Sequence, residues 1–236
     1  MKAIVMDLDN TLYDATAAYQ RGEEAALRLG AEILGLSPEV WAEAWKVGKA
    51  RTKELLKDCA AQHHRLFYIQ HALEYLGRSP FDHTEEIYEA YWQAALDGME
   101  LFAGVEKFLQ QAKAQGIKLA LCTDMTAAMQ YRKIRQMGLD KYLDALVTSE
   151  EAGREKPAAQ MFSLVLDKLG VPANEAIMIG DSLPKDVEGA QKAGLRAVWK
   201  TQAPQDYDGE WIDGYTDGKI QRYCGLLSAG KEGGIY

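Results

Sequence analysis

The stretch MDLDNTLYD, Met6 to Asp14, closes an apolar run with two carboxylates two residues apart. In an extended strand such residues point the same way and lie about 6.6 Å apart, at ~3.3 Å per residue, so Asp7 and Asp9 share one region of space. Three other runs lead to reactive side chains: KLALCTD ends in Thr123 and Asp124, AIMIGD ends in Asp181 before Ser182, and ALVTS leads through SEEAGREKP to Lys156. Ligands collect at the carboxyl ends of strands in an open parallel sheet. Four strands would thus bring carboxylates, a hydroxyl and an ammonium to one edge. That combination meets the demands of phosphoryl transfer through a covalent aspartyl phosphate, in which a carboxylate attacks phosphorus and fixed positive charge neutralises the phosphate oxygens. Asp7 and Asp181 could hold a magnesium ion, which favours oxygen ligands. Asp9 has the spacing of a general acid and base, Thr123 could donate a hydrogen bond to phosphate, and Lys156 could supply a point charge.

These residues need a scaffold. Five short apolar or β-branched runs predict strands at 3–7, 118–124, 145–149, 176–181 and 196–200, alternating after residue 100 with helices near 104–115, 126–137, 158–169 and 186–193. Gly116, Gly138, Gly170 and Gly194 each follow a helical pattern, where a left-handed cap is favoured. The expected fold class is α/β, a Rossmann-like core with a mostly parallel sheet of five or more strands. Residues 15–100 show helical periodicity throughout. Ser37-Pro38 opens one helix, Trp41 and Trp45 lie a turn apart, and Ile87, Tyr88, Tyr91, Trp92 and Ala95 form an apolar stripe that favours a small core over base stacking. The expected domains are therefore a core of 1–14 and 101–236 and an all-helical cap of 15–100.

Composition narrows the partners. A formal net charge of −8 argues against nucleic acid or anionic membrane. Cys59, Cys122 and Cys224 are odd in number and widely spaced, which disfavours a disulfide framework and a zinc site. The absence of a signal-peptide pattern or a long apolar stretch leads to the expectation of a cytoplasmic protein, monomeric or dimeric, acting on a small molecule.

Taken together, the four motifs resemble the haloacid dehalogenase superfamily of phosphatases, in the branch with a helical cap inserted after the first core strand, nucleotidase-like or acyl-sugar-phosphate-phosphatase-like. D-x-D-x-T stands as DLDNT with Asp7, Asp9 and Thr11, the strand-ending hydroxyl as Thr123, the Lys-Pro pair as EKP with Lys156, and the fourth motif as GDSLPKD with Asp181 and Asp186. The resemblance implies that Asp7 is the nucleophile, Asp9 the acid and base and a backbone-carbonyl magnesium ligand, and Asp181 a carboxylate ligand. Asp186 would support the metal or orient Lys156. Thr11, Thr123, Asp124 and Lys156 would hold the substrate phosphate. The implied activity is magnesium-dependent hydrolysis of a phosphate monoester, such as a nucleoside monophosphate or sugar phosphate, with a phosphosugar mutase or a non-catalytic module as alternatives. Relatives that cleave carbon–halogen bonds lack the second aspartate, so Asp9 counts against that reaction. Ala103 replaces a proline common in relatives at a turn away from the chemistry.

Local readings compete at several of these positions. Asp186 could serve as a helix N-cap, Thr11 as a capping hydroxyl, Asp14 as a solvated carboxylate and Lys156 as an ordinary exposed lysine. His63, His64, His71 and His83 all fall in 15–100 without metal-ligand spacing. DYDGEWIDGYTDG, 206–218, fails the calcium-loop pattern and predicts successive turns in an irregular edge segment.

Overall fold

The computed structural model describes residues 1–202, 204 and 206–215. Its centre is a parallel sheet of six strands among the described residues, in the order β3-β2-β1-β4-β5-β6. The strands are β1 Ala3–Met6, β2 Lys118–Thr123, β3 Ala145–Thr148, β4 Ala176–Gly180, β5 Arg196–Lys200 and β6 Trp211–Ile212. Every residue of β1 is buried, because the sheet is covered on both faces. Ile4 and Met6 enter one apolar cluster with Leu119, Leu121, Ile177 and Ile179, while Ala3 and Val5 enter the other with Ala120, Cys122 and Met178. At ~1.5–3 kcal/mol per fully buried large apolar side chain, a four-residue strand is held by its flanks more than by its length.

Helices α5 Val105–Ala114 and α6 Ala127–Gln136 join the first cluster, and α8 Ala159–Leu169 and α9 Glu188–Lys192 the second. Between β3 and α8 stands a single turn, α7 Ser149–Ala152. Gly170 ends α8 in the left-handed conformation (φ 62°), and its N–H bonds back to the carbonyls of Leu166 and Asp167. The predicted helix at 186–193 divides: a wide π-type turn, Leu183–Val187, precedes α9, and the capping oxygen there belongs to Ser182, which accepts from Lys185 N–H. Asp186 therefore is not the cap.

One further reading is extended and another is corrected. Asp14 is exposed, as a solvated carboxylate should be, and it also caps the helix that begins at Ala15, accepting from Ala17 N–H at 2.9 Å. Within 206–218 lies β6, whose two residues pair with Trp199 and Lys200; it is too short for any periodicity to announce. Asp217-Gly218 and Cys224 lie outside the described residues. Cys59 and Cys122 are free thiols, and no described helix is long and apolar enough to cross a membrane.

Between β1 and α5 run four helices, α1 Ala15–Leu34, α2 Pro38–Leu55, α3 Arg65–Tyr75 and α4 Thr84–Leu96, with a 3-10 turn at Ala60–His63. The helical stripe is core: Trp41, Trp45, Tyr91 and Trp92 are buried, and Trp45 stacks on Tyr91 at 6.1 Å between ring centres. Trp41 Nε1 donates to the Ala26 carbonyl. Helices α2 and α3 approach so closely at Gly48 that a Cβ there would lie 2.2 Å from the Tyr68 carbonyl oxygen and 2.7 Å from Ala72 N. Backbone cannot rotate away as a side chain can. Gly48→Ala is therefore expected to destabilise the chain by about 1–3 kcal/mol, read as a lowered thermal midpoint; an unchanged midpoint would show that α2 and α3 separate freely.

Candidate active site

The register aligns the strand ends. Met6 pairs with Leu121 and with Ile179, so Asp7, Thr123 and Asp181 emerge at one edge, beside β1 where the chain's course through the sheet reverses. Asp7, Asp181 and Asp186 each offer an oxygen within 4.8 Å of the others. Lys156 enters this group from the loop after β3, its Nζ 2.6 Å from Asp7 Oδ1 and 2.7 Å from Asp186 Oδ1. Asp186 is 1% exposed and Lys156 4%, so Lys156 is far from the exposed lysine of the local reading. The second oxygen of Asp186 accepts Ser182 N–H at 2.9 Å. Gly180 makes room for this: a Cβ at that position would lie 2.4 Å from the Asp186 carboxyl carbon.

After Asp9, Asn10 adopts φ 58° and turns the chain so that Thr11 folds back over the strand end. Its buried hydroxyl makes long contacts of 3.5 Å to both Asp7 and Asp181. Thr123 is buried, and its hydroxyl accepts from Gln130 Nε2 at 2.8 Å. Asp124 holds the loop of Lys156: one carboxylate oxygen accepts Lys156 N–H at 3.0 Å and the other pairs with Lys185 at 2.9 Å.

Electrostatics at the cluster are unbalanced. Burial pushes Asp7 up to about 8; Lys156 opposes the rise, while Asp186 and Asp9 add to it. Burial and Asp186 also raise Asp181. Burial by itself would lower Lys156, but Asp186 and Asp7 reverse that and hold it well above the ordinary lysine value. Three carboxylates against one ammonium leave an excess of negative charge in a low-dielectric pocket. A hard divalent cation fits this donor set, since all the available ligands are oxygens and the excess charge is what it would offset.

Asp9 stands apart from the three. Its carboxylate meets Lys133 Nζ at 2.9 and 3.0 Å, accepts Tyr13 OH at 2.7 Å, and accepts Tyr19 OH. Burial would raise Asp9, yet Lys133 and the two tyrosines outweigh it and hold it below the ordinary carboxylate value. Lys133 is fully buried on α6, one turn after Gln130. Sequence reasoning predicts the helix at 126–137 but singles out none of Gln130, Lys133, Tyr13 and Tyr19 as a site residue. Gln130 and Lys133 stand at i, i+3 on that helix, a spacing that puts them on one face but does not say that the face is buried.

The helical segment also touches the edge. His63 Nε2 lies 2.8 Å from Glu155 Oε1, while Lys185 Nζ lies 3.0 Å from Glu155 Oε2. Of the other histidines, His71 Nδ1 meets the Thr52 hydroxyl at 2.8 Å, His83 lies 3.3 Å from Glu86, and His64 stacks on Tyr88.

Two predictions follow from these buried charges. Lys133→Met leaves Asp9 without its cation; because the Asp9 side chain keeps a quarter of its exposure, the cost is expected at about 3 kcal/mol, with most recovered in the double variant with Asp9→Asn. Additive losses in chemical denaturation would contradict this coupling. Burial would raise Glu155, but His63 and Lys185 bring it from the ordinary 4.5 down to about 2. A depressed folded value stabilises above the unfolded one and is lost as pH falls through the folded one. Glu155→Gln is therefore expected to cost about 1–3 kcal/mol at neutral pH, a deficit that closes between about pH 4.5 and pH 2. A deficit constant with pH would contradict the assignment.

Comparison with known proteins finds clear relatives. Residues 1–194 match the family model described as haloacid dehalogenase-like hydrolase. Ribulose-1,5-bisphosphate 5-phosphatase of Halopiger xanaduensis is 38% identical over 198 residues, 83% of each chain. Glyceraldehyde 3-phosphate phosphatase of Methanopyrus kandleri is 29% identical over 234 residues, 98% of each chain. The crystal structure of a HAD phosphatase from Thermococcus onnurineus superposes with a TM-score of 0.71 at 24% identity, over 96% of this chain and 98% of that one, which shows a common fold.

Proposed function

The chain belongs to the haloacid dehalogenase-like hydrolases, and from that premise we propose that it is a magnesium-dependent phosphatase that hydrolyses a small-molecule phosphate monoester through an aspartyl phosphate on Asp7. The observation that carries this reading is the convergence of Asp7, Asp181 and Asp186 around Lys156 at the carboxyl edge of the sheet. Asp7, Asp181 and Asp186, with the Asp9 backbone carbonyl, would hold the magnesium. When bound, the ion neutralises charge on the phosphoryl oxygens and on the carboxylates.

Asp7 attacks phosphorus, the ester P–O bond breaks, and the leaving alkoxide takes a proton from Asp9. Water then attacks the acyl phosphate, Asp9 takes its proton, and inorganic phosphate departs from a regenerated Asp7. Lys156 holds Asp7 from one side and can face a phosphate oxygen from the other, with the hydroxyls of Thr11 and Thr123 and the backbone at Asp124 as further partners for the phosphoryl group. Held ionised by Lys133, Asp9 is ready for the second step. For the first it must carry a proton, so release of its contact with Lys133 on substrate entry is part of the proposed cycle.

In this reading, residues 1–14 and the chain from 101 onward form the catalytic core, and 15–100 form a cap that meets the leaving group. The names of the two relatives favour a small phosphorylated sugar over a nucleoside monophosphate. The test is release of free phosphate from a chromogenic ester and a panel of sugar phosphates and nucleotides, with magnesium or excess chelator. Activity is expected with magnesium only. Asp7→Asn is expected to lower turnover by roughly 10⁴-fold or more, and Asp9→Asn by roughly 10²- to 10⁴-fold while phosphoenzyme still forms with an activated leaving group. Full activity in chelator, equal mild losses in both variants, or an isomerised sugar without free phosphate would overturn it.

A further inference from the structure

A third buried cation lies in the helical segment, and the aspartyl chemistry does not use it. Arg65, the first residue of α3, is 7% exposed. Its guanidinium lies 4.6 Å from the ring centre of Tyr19, 5.1 Å from Tyr91, 5.2 Å from Trp92 and 5.5 Å from Tyr68. Arg51, Arg132 and Arg196 pair with Glu74, Glu89 and Glu210, but Arg65 has no carboxylate partner among the described residues. Its Nη1 donates to the His63 carbonyl, it interacts with the Tyr91 hydroxyl, and Nε has no hydrogen-bond partner. Aromatic faces offset its charge but cannot accept its in-plane N–H groups as an oxygen does.

Arg65 lines a cavity of about 600 Å³, walled by Tyr19, Tyr68 and Tyr91, where Lys49 and Lys53 stand with two carboxylates, Glu23 and Glu24. Lys49 is matched by Glu23 at 3.0 Å, whereas Lys53 is exposed and has no ion-pair partner among the described residues. Tyr19 forms a common wall, its ring against Arg65 and its hydroxyl on Asp9. A single ring thus separates the guanidinium from the carboxylate that serves the leaving group.

We infer that this cavity receives a second anionic group of the substrate, a carboxylate or a second phosphate several bonds beyond the ester oxygen, with Arg65 as its anchor. The inference rests on the phosphatase reading above and names the substrate class that it leaves open. The planar guanidinium fork matches both groups, and the burial of Arg65 among aromatic rings strengthens the pairing. Lys53 at the rim draws the anion inward.

Matched substrates test it in the full-length chain with magnesium. Glyceraldehyde 3-phosphate is compared with 3-phosphoglycerate for the carboxylate, and ribulose 5-phosphate with ribulose 1,5-bisphosphate for the second phosphate. The expected result is a kcat/KM ratio favouring the second anion in one pair, which identifies the group, and a fall in that ratio of roughly 10- to 100-fold in Arg65→Met. Arg65→Lys should keep part of it, and Lys53→Glu should lower it about three- to tenfold. Ratios near one in both pairs, or loss in Arg65→Met shared equally by both members, would overturn the inference. If Arg65→Met does not fold, an unchanged ratio in Lys53→Glu overturns it. Turnover of a chromogenic ester alongside flat ratios removes this inference alone, whereas no phosphate release from any ester removes the phosphatase reading with it.

Discussion

The bridge from Lys156 to Asp7 and Asp186 is the interaction on which the rest of the site depends. Two carboxylates from different strands could not be buried side by side without a cation between them, because the desolvation of each would add to their repulsion. Lys156 meets both at ion-pair distance, and its loop is fixed in turn by Asp124 and Lys185. The missing side chain at Gly180 and the Ser182 N–H let Asp186 reach inward. Geometry from four strand ends is thus referred to one ammonium.

A second lysine repeats the device for a different purpose. Lys133 brings no acids together; it secures one carboxylate, Asp9, with two tyrosines from the segment that follows β1. Two aspartates two residues apart are thereby placed in opposite electrostatic settings. Burial raises Asp7 and Lys133 lowers Asp9, the reverse of an ionised attacking group beside a protonated acid, so the proposed cycle needs a cation to offset the charge at Asp7 and a loosened contact between Lys133 and Asp9.

Much of this was legible in the residues. All five anticipated strands occur within a residue of their predicted ends, because strands buried on both faces are continuous apolar runs, and the α/β class followed from their alternation with helices. Asp7, Thr11, Lys156, Asp181 and Asp186 converge as their motifs implied. What escaped was of another kind. β6 has two residues and no period to detect, and Ser182 took the capping role that Asp186 could have filled. Lys133 and Arg65 have the composition of surface residues; only the tertiary packing of α6 against Tyr13 and Tyr19, and of α3 against four rings, makes them interior cations. Burial of a charge is a property of partners far away in the chain, and no local pattern encodes it.

The position of β1 has a consequence for how the molecule assembles. It is the earliest strand in chain order yet sits inside the sheet, with Ala3 opposite Lys118 on one side and Ala176 on the other. During synthesis it must wait for both neighbours, while α1 to α4 can close on themselves with short connections. Pairing across such long sequence separations is slow, and an apolar strand left waiting is open to non-native association. The helical segment would be the first part able to gain structure, and the strand that carries Asp7 to the sheet edge can be completed only when β4 has emerged. Catalytic competence is therefore among the last properties that the growing chain acquires.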